Sequence, residues 1–471
     1  MLTALDSRGR LVLAATMAGF LLGWEATSSF FLFPEIRESL AGGDAVQASW
    51  VLTITGVISS ALLLMSGRLG EQIGYQTLYQ AGLLLFGVTN LLSGLAPNLF
   101  TLIVFRGLAA ASIAILAPAA IAIIAATAPP GGQARSIARY GLWTGIAAVA
   151  GPITMTLLVS TLSWRYGYFV QTPFVLVVVA MSRTRVEVPG RNRGRRIPIV
   201  DTLISAVAVG LIVLALSSSD EWGWGSARFL GASATAVALL IAVVRRSSGE
   251  DPFVPLDLFR IRRYRFASLL SLLLSIAFFT QWLAMLLYLT EIWAFGLIEA
   301  GLLLSIMAAV MVIIVVPAGR VVDRVGHFPV ILFGTVIYTI GFGQFRLLTG
   351  DDRSNLILLI ALVGSGVGMG TVWPTLTSAA VLGVPSDRLG SASAVLNATQ
   401  RIGGAFGIAL LASLVTSGVG ATTTDQYLRG LSIMPIVGLV AIVLSLGLRG
   451  TSGPLSRDRT LTPFVEGESD D

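Results

Sequence analysis

The chain contains no cysteine and no lysine, and only one histidine. Charge of either sign is scarce, at 12% of 471 residues. Without cysteine there are no disulfides and no thiolate metal sites. The lone His327 has no second His or Cys with which to share a metal, so the expectation is a solvated loop residue and no metal centre. A soluble globular chain carries about 25% charged residues, so most of this surface must face something other than water. We find no phosphate-binding loop and no nucleophile beside a base, which leaves ATP-driven transport and enzyme chemistry unsupported. The net charge of +6 comes from 31 arginines set in short links between apolar segments, a pattern that reports membrane topology rather than nucleic-acid binding.

What is present is apolar length. Hydrophobic residues make up 55% of the chain and mean hydropathy is +0.84. Crossing a bilayer takes roughly 20 apolar residues. Turn residues and charges divide the chain into fourteen such segments, at 11–34, 46–67, 75–95, 99–126, 138–160, 165–182, 200–218, 228–245, 266–289, 298–318, 328–346, 355–378, 393–417 and 430–448. Arg8 and Arg10 precede the first without a small-residue cleavage site, so it is expected to remain as an uncleaved helix. With the N-terminus in the cytoplasm, inside loops and termini hold 23 arginines and outside loops hold 6. That asymmetry satisfies the positive-inside rule and puts both termini in the cytoplasm. The predicted fold class is an all-α polytopic membrane protein. Residues 1–182 and 266–449 form six-helix bundles, residues 183–265 supply basic linkers with two additional helices, and the polar residues 450–471 form a disordered tail.

One short phrase occurs twice, each time between the second and third segments of a half. Gly67-Arg68-Leu69-Gly70-Glu71-Gln72-Ile73-Gly74 and Gly319-Arg320-Val321-Val322-Asp323-Arg324-Val325-Gly326 both read G-R-x-x-acid-x-x-G. Such duplication points to a transporter built from two related bundles. Glycines permit tight turns, while Glu71 and Asp323 can bond helix termini or arginines such as Arg68, Arg320 and Arg324 across the halves. The phrase thus reads as a cytoplasmic latch that breaks during alternating access; a simple tight turn with solvated charges is the plainer alternative.

Two six-helix halves joined in this way resemble the major facilitator superfamily. The two inserted helices narrow the resemblance to its fourteen-helix drug:proton antiporter branch. Further phrases carry it: Trp24-Glu25-Ala26-Thr27 through Leu32-Phe33-Pro34, Trp222-Gly223-Trp224-Gly225-Ser226, Pro255-Leu256-Asp257-Leu258-Phe259, and Leu396-Asn397-Ala398-Thr399-Gln400-Arg401-Ile402-Gly403-Gly404. Departures cluster in the first half. The first repeated phrase continues Tyr75-Gln76-Thr77 rather than with a basic run, and Ala109-Ala110 stands where Gln-Gly is usual. The antiporter motif of the fifth helix keeps Gly151-Pro152 but replaces the next glycine pair with Met155-Thr156.

Glu25 is the only acid in the middle of a predicted helix. A charged side chain at the bilayer centre costs about 2.5–3.5 kcal/mol on insertion scales, so such a residue usually faces the bundle interior and has a task. Arg106 in the fourth segment is its plausible partner, and the resemblance implies proton coupling by this pair. A static ion pair pinning helices one and four is the alternative. The corresponding places in the second half, near Ala277 and Leu358, carry no charge, so coupling is expected to involve one proton per cycle without a preference for dications. Trp24, Thr27, Phe30, Phe31, Gln281, Trp282, Asn397 and Gln400 are substrate-lining candidates, since apolar pockets with a few polar groups suit lipophilic ligands and aromatic faces attract cations. Asp201, after Pro198, reads as an N-terminal cap. The expected function is proton-coupled export of small lipophilic compounds, cations among them, by a monomer in the cytoplasmic membrane. Its partners are a small-molecule substrate and membrane lipid, its cofactors none beyond the proton, and nucleic acid is not among them. A dedicated exporter or flippase for one metabolite or lipid, and a non-transporting sensor or scaffold, stay open as alternatives.

Overall fold

The computed structural model describes residues 7–127, 133–183, 197–247, 253–343, 355–382, 384, 389–416 and 435–449. Nearly all of these residues are helical, and no strand occurs among them. The first half comprises α1 (Ser7–Ala41), α2 (Ala45–Ile73), α3 (Tyr75–Gly94), α4 (Leu99–Thr127), α5 (Gln133–Thr161), α6 (Trp164–Phe169) and α7 (Gln171–Ser182). The inserted region holds α8 (Ile199–Ser217), a single turn α9 (Ser219–Trp222) and α10 (Ala227–Arg246). The second half comprises α11 (Arg262–Leu287), which continues into a π-helical turn at Tyr288–Ile292, then α12 (Leu297–Val325), α13 (His327–Gly343), α14 (Asn355–Val381), α15 (Leu389–Thr416) and α16 (Pro435–Leu448).

Among the described residues, every predicted apolar segment overlaps helix, the sixth being divided at Val170 into α6 and α7. Among the described residues, nine helices are long and apolar enough to cross a membrane. The others fall short for visible reasons. α7 has 12 residues, α13 and α16 have fewer than 18 among the described residues, α3 carries Gln76, Gln80 and Asn90, and α15 carries Asn397, Gln400 and Arg401. Much of the two basic linkers (184–196 and 248–252), Asp351, Asp352 and the acidic tail lie outside the described residues.

Lipid tails are as apolar as leucine, so close packing of small residues rather than hydrophobic burial holds helices together in a membrane. Gly19 and Gly23, one turn apart on α1, lie against Tyr140 and Thr144 of α5 so closely that a Cβ at Gly19 would sit 2.7 Å from the Tyr140 carbonyl oxygen. On α15, Gly403 and Gly407 do the same against α11, where a Cβ at Gly403 would meet the Leu272 carbonyl at 2.6 Å. Large apolar side chains point outward instead, among them Leu84 and Val88 on α3, Leu203 and Val207 on α8, and Ile313 and Val316 on α12. That inverted pattern is what a lipid-facing surface requires.

Between the halves, α1 packs on α11, α2 on α15 and α5 on α12. The second helix of each half thus meets the fifth of the other, as two related bundles facing each other require. The inserted α8 lies over one of these seams, with Val209 and Val213 packed against Val57 of α2 and Ala405 and Ala409 of α15. Ser219 and Ser413 share a hydroxyl hydrogen bond of 2.7 Å at its end. α10 packs on α8 and α9 at the periphery.

Two expectations are corrected here. Asp201 does not cap α8, whose N-cap is Pro198; it lies in the first turn and pairs with Arg246 Nε at 2.6 Å, joining the two inserted helices. His327 is not a solvated loop residue: it opens α13, is buried, and its Nε2 lies 3.1 Å from Ser378 Oγ on α14.

Candidate functional site

The structure brings Glu25 and Arg106 together. Glu25 lies midway along α1 and Arg106 in the first half of α4, and both are buried, at 5% and 1% exposure. One nitrogen of the Arg106 guanidinium donates to Glu25 Oε1. The same nitrogen reaches Ser29 Oγ at 3.2 Å, and the Ser29 hydroxyl donates to the same carboxylate oxygen at 3.0 Å. Gln171 Nε2 donates to the other oxygen at 3.2 Å. This glutamine is the first residue of α7 and is itself buried. The Tyr168 ring lies 5.0 Å from the guanidinium carbon, a cation–π contact that partly replaces water around the charge. Nε and Nη1 of Arg106 are buried and have no hydrogen-bond partner among the described residues. Breaking a buried pair by neutralising one member leaves the other uncompensated, so the protonation state of Glu25 controls the charge balance of the whole cluster.

The pair lines a cavity between the halves. Its first-half wall is Leu22, Glu25, Ala26, Ser29 and Phe30 of α1, Leu52, Thr55 and Gly56 of α2, and Arg106 and Ile113 of α4. Phe279 of α11 and Arg401, Gly404, Ala405 and Ile408 of α15 close the other side. Phe30 and Phe279 stack across the seam with ring centroids 6.2 Å apart. At Gly56 the halves approach closely, since a Cβ there would sit 2.8 Å from Ala405 Cβ and 2.9 Å from the Arg401 carbonyl oxygen.

Of the eight substrate-lining candidates, Phe30 reaches this cavity. Phe31 is buried in the hydrophobic core. Thr27 turns to α5, where a Cβ at Gly151 would meet its hydroxyl at 2.7 Å. Trp24 packs on Phe20. Gln281 donates to Ser365 Oγ at 2.8 Å, and Trp282 is buried against Phe278. Asn397 is exposed and bonds the Ser393 carbonyl, while Gln400 is buried outside the cavity wall. Adjacency to Glu25 in sequence selects a helix, whereas lining a cavity depends on which side of it a residue occupies. Gly151 and Pro152 sit inside α5, and Gly151 lets that helix approach α1 beside Thr27 and Ser28.

The repeated phrases are mostly helix rather than loop, which corrects the sequence reading. Arg68 and Glu71 occupy the last turns of α2, and Arg320, Asp323 and Arg324 those of α12. Gly67 and Gly319 are helical with open space around them. The turn falls on the final glycine of each phrase, Gly74 at φ 91° and Gly326 at φ 85°, a region L side chains avoid. Each closes its helix by donating to a carbonyl one turn back, Gly70 and Val322 respectively. The first copy is half-buried and the second exposed, apart from Val322 and Gly326.

Sequence reasoning missed Ser29, Thr55, Tyr168, Gln171 and above all Arg401. It also missed an ion pair between the halves at the end expected to be outside, Arg37 of α1 with Glu291 of the π turn at 2.8 Å. Lone polar residues in apolar segments were the available signal for Gln171 and Arg401.

Comparison with known proteins fits this geometry. The Major Facilitator Superfamily family model matches residues 15–408. A multidrug transporter of Bacillus subtilis, MdtP, is 26% identical over 91% of this chain and 79% of its own length. The tetracenomycin C resistance and export protein of Streptomyces glaucescens is 24% identical over 89% of this chain and 79% of its own. Among solved structures, a D-xylose–proton symporter superposes with a TM-score of 0.69 at 14% identity, covering 93% of this chain and 96% of that one, which shows a shared fold. The two related bundles and a model match across most of the chain establish that the protein belongs to the Major Facilitator Superfamily.

Proposed function

We propose that the protein exports small lipophilic compounds across the cytoplasmic membrane by alternating access, with a proton bound and released at Glu25. The observation that carries this reading is the position of the Glu25–Arg106 pair in the wall of the cavity between the halves. A buried carboxylate that touches both a guanidinium and the substrate space can pass information between proton and substrate. A pair sealed in a core could only brace two helices. The drug-export names of the relatives supply the direction and the substrate breadth. Proton entry is a sufficient energy source, because one charge crossing 100 mV yields about 2.3 kcal/mol.

Alternating access needs contacts that break at each end in turn. The helix ends bearing Arg68 and Glu71, and Arg320, Asp323 and Arg324, are the proposed latch on the cytoplasmic side. Arg37 with Glu291 is the proposed counterpart outside. In everted membrane vesicles energised by respiration, the wild type is expected to accumulate lipophilic dyes and to lose them when an uncoupler is added. Glu25→Gln is expected to equilibrate the same dyes without accumulating them. Uncoupler-sensitive accumulation by Glu25→Gln equal to that of the wild type would rule the assignment out.

A further inference from the structure

The cavity holds three charged side chains, and they do not cancel. Glu25 is matched by Arg106. Arg401 enters from α15 on the opposite half and makes no hydrogen bond or ion pair with any described residue. The Glu25 carboxylate and the Tyr140 hydroxyl are within its electrostatic reach but are not bonded to it. Arg401 stands midway along a helix, facing a space with apolar walls that include Leu22, Leu52, Ile113 and Ile408. A solitary charge at that depth is expensive and marks a functional site by default. Two donors of Arg106 and the hydroxyl of Thr55 are unpartnered as well, but these atoms are buried and closed to a ligand.

We infer that this cavity receives lipophilic anions, the acidic group docking on Arg401. The inference rests on the export reading given above and names its substrate class. It reverses the expectation of cations drawn from the aromatic residues: most of those aromatics face away from the cavity, while an uncompensated guanidinium faces into it. A planar guanidinium offers two parallel donors to a carboxylate or sulfonate, and the apolar walls with the Phe30–Phe279 stack accept a hydrocarbon body. The use of arginine rather than lysine carries no information, because the chain has no lysine at all. An acid bound to Arg401 in this cavity would lie between the halves, where a substrate must sit to sense their rocking.

Two fluorescent probes with the same ring system separate charge from lipophilicity: anilinonaphthalene sulfonate and the uncharged phenylnaphthylamine. Equilibrium dialysis against the purified protein in nanodiscs, with empty nanodiscs subtracted, gives both affinities. The wild type should bind the sulfonate at least about tenfold more tightly than the neutral probe, the fold-change one charge-assisted hydrogen bond carries. Arg401→Gln should abolish that preference while leaving phenylnaphthylamine binding unchanged. Equal affinity of the wild type for both probes overturns the inference without any variant. So does an equal loss of both probes in Arg401→Gln, which would mark a packing role. No gradient enters the measurement, so its outcome is separate from that of the coupling assigned to Glu25.

Discussion

Replacing Glu25 with glutamine keeps the shape of the side chain but removes the charge that balances Arg106. What remains around the guanidinium is the Ser29 hydroxyl and the face of Tyr168, neither of them ionised. Leaving a buried charge unpaired typically costs about 3–5 kcal/mol, whereas removing both members of a pair is often close to neutral. Glu25→Gln is therefore expected to lower thermal stability in detergent by several degrees, and Glu25→Gln with Arg106→Gln to recover most of the loss. Tryptophan fluorescence on heating reads this directly; a double variant as unstable as the sum of both singles would mean the charges do not interact. The pair was legible in the sequence because charge inside an apolar helix is rare enough to stand out. Ser29, Tyr168 and Gln171 were not, because a hydroxyl or amide next to an apolar run is common and gains its meaning only from the direction in which it points.

At the scale of helices, glycine placement decides how closely α1 and α5 approach. A side chain at Gly151 would collide with the hydroxyls of Thr27 and Ser28 at 2.7 and 2.9 Å, beside the helix that carries Glu25. Overpacking of this kind costs typically about 1–3 kcal/mol. Gly151→Val is expected to destabilise by that order and to weaken transport through displacement of α1. Asp201→Asn gives the contrast. Its partner Arg246 is about half exposed, and such surface pairs are worth about 0–1 kcal/mol, so stability should barely change. Denaturation midpoints of the two variants check both values, and a larger loss in Asp201→Asn would contradict this packing account. Element existence was readable because each helix needs a long apolar run. The ends of α2 and α12 were not, since a polar phrase between apolar runs fits a loop and a final helical turn equally well. Only Gly74 and Gly326, with positive φ, locate the turns.

For the molecule as a whole, the duplicated phrase and the arginine asymmetry anticipated two related bundles, and the reciprocal packing of α2 on α15 and α5 on α12 gives that duplication a physical form. The composition of the cavity was beyond reach, because Glu25, Arg106 and Arg401 come from three helices in two halves and only their packing puts them in one wall. The inserted α8 was visible as an apolar segment, but its position over the α2–α15 seam depends on that same packing. The central claim is that this shared cavity ties substrate movement to a proton at Glu25. The most direct measurement places a substrate gradient across proteoliposomes that enclose a pH-sensitive dye, with no other driving force. The wild type should move protons in step with substrate, at about one per molecule, while Glu25→Gln passes substrate down its gradient with no proton signal. Proton movement in Glu25→Gln equal to that of the wild type would contradict the account.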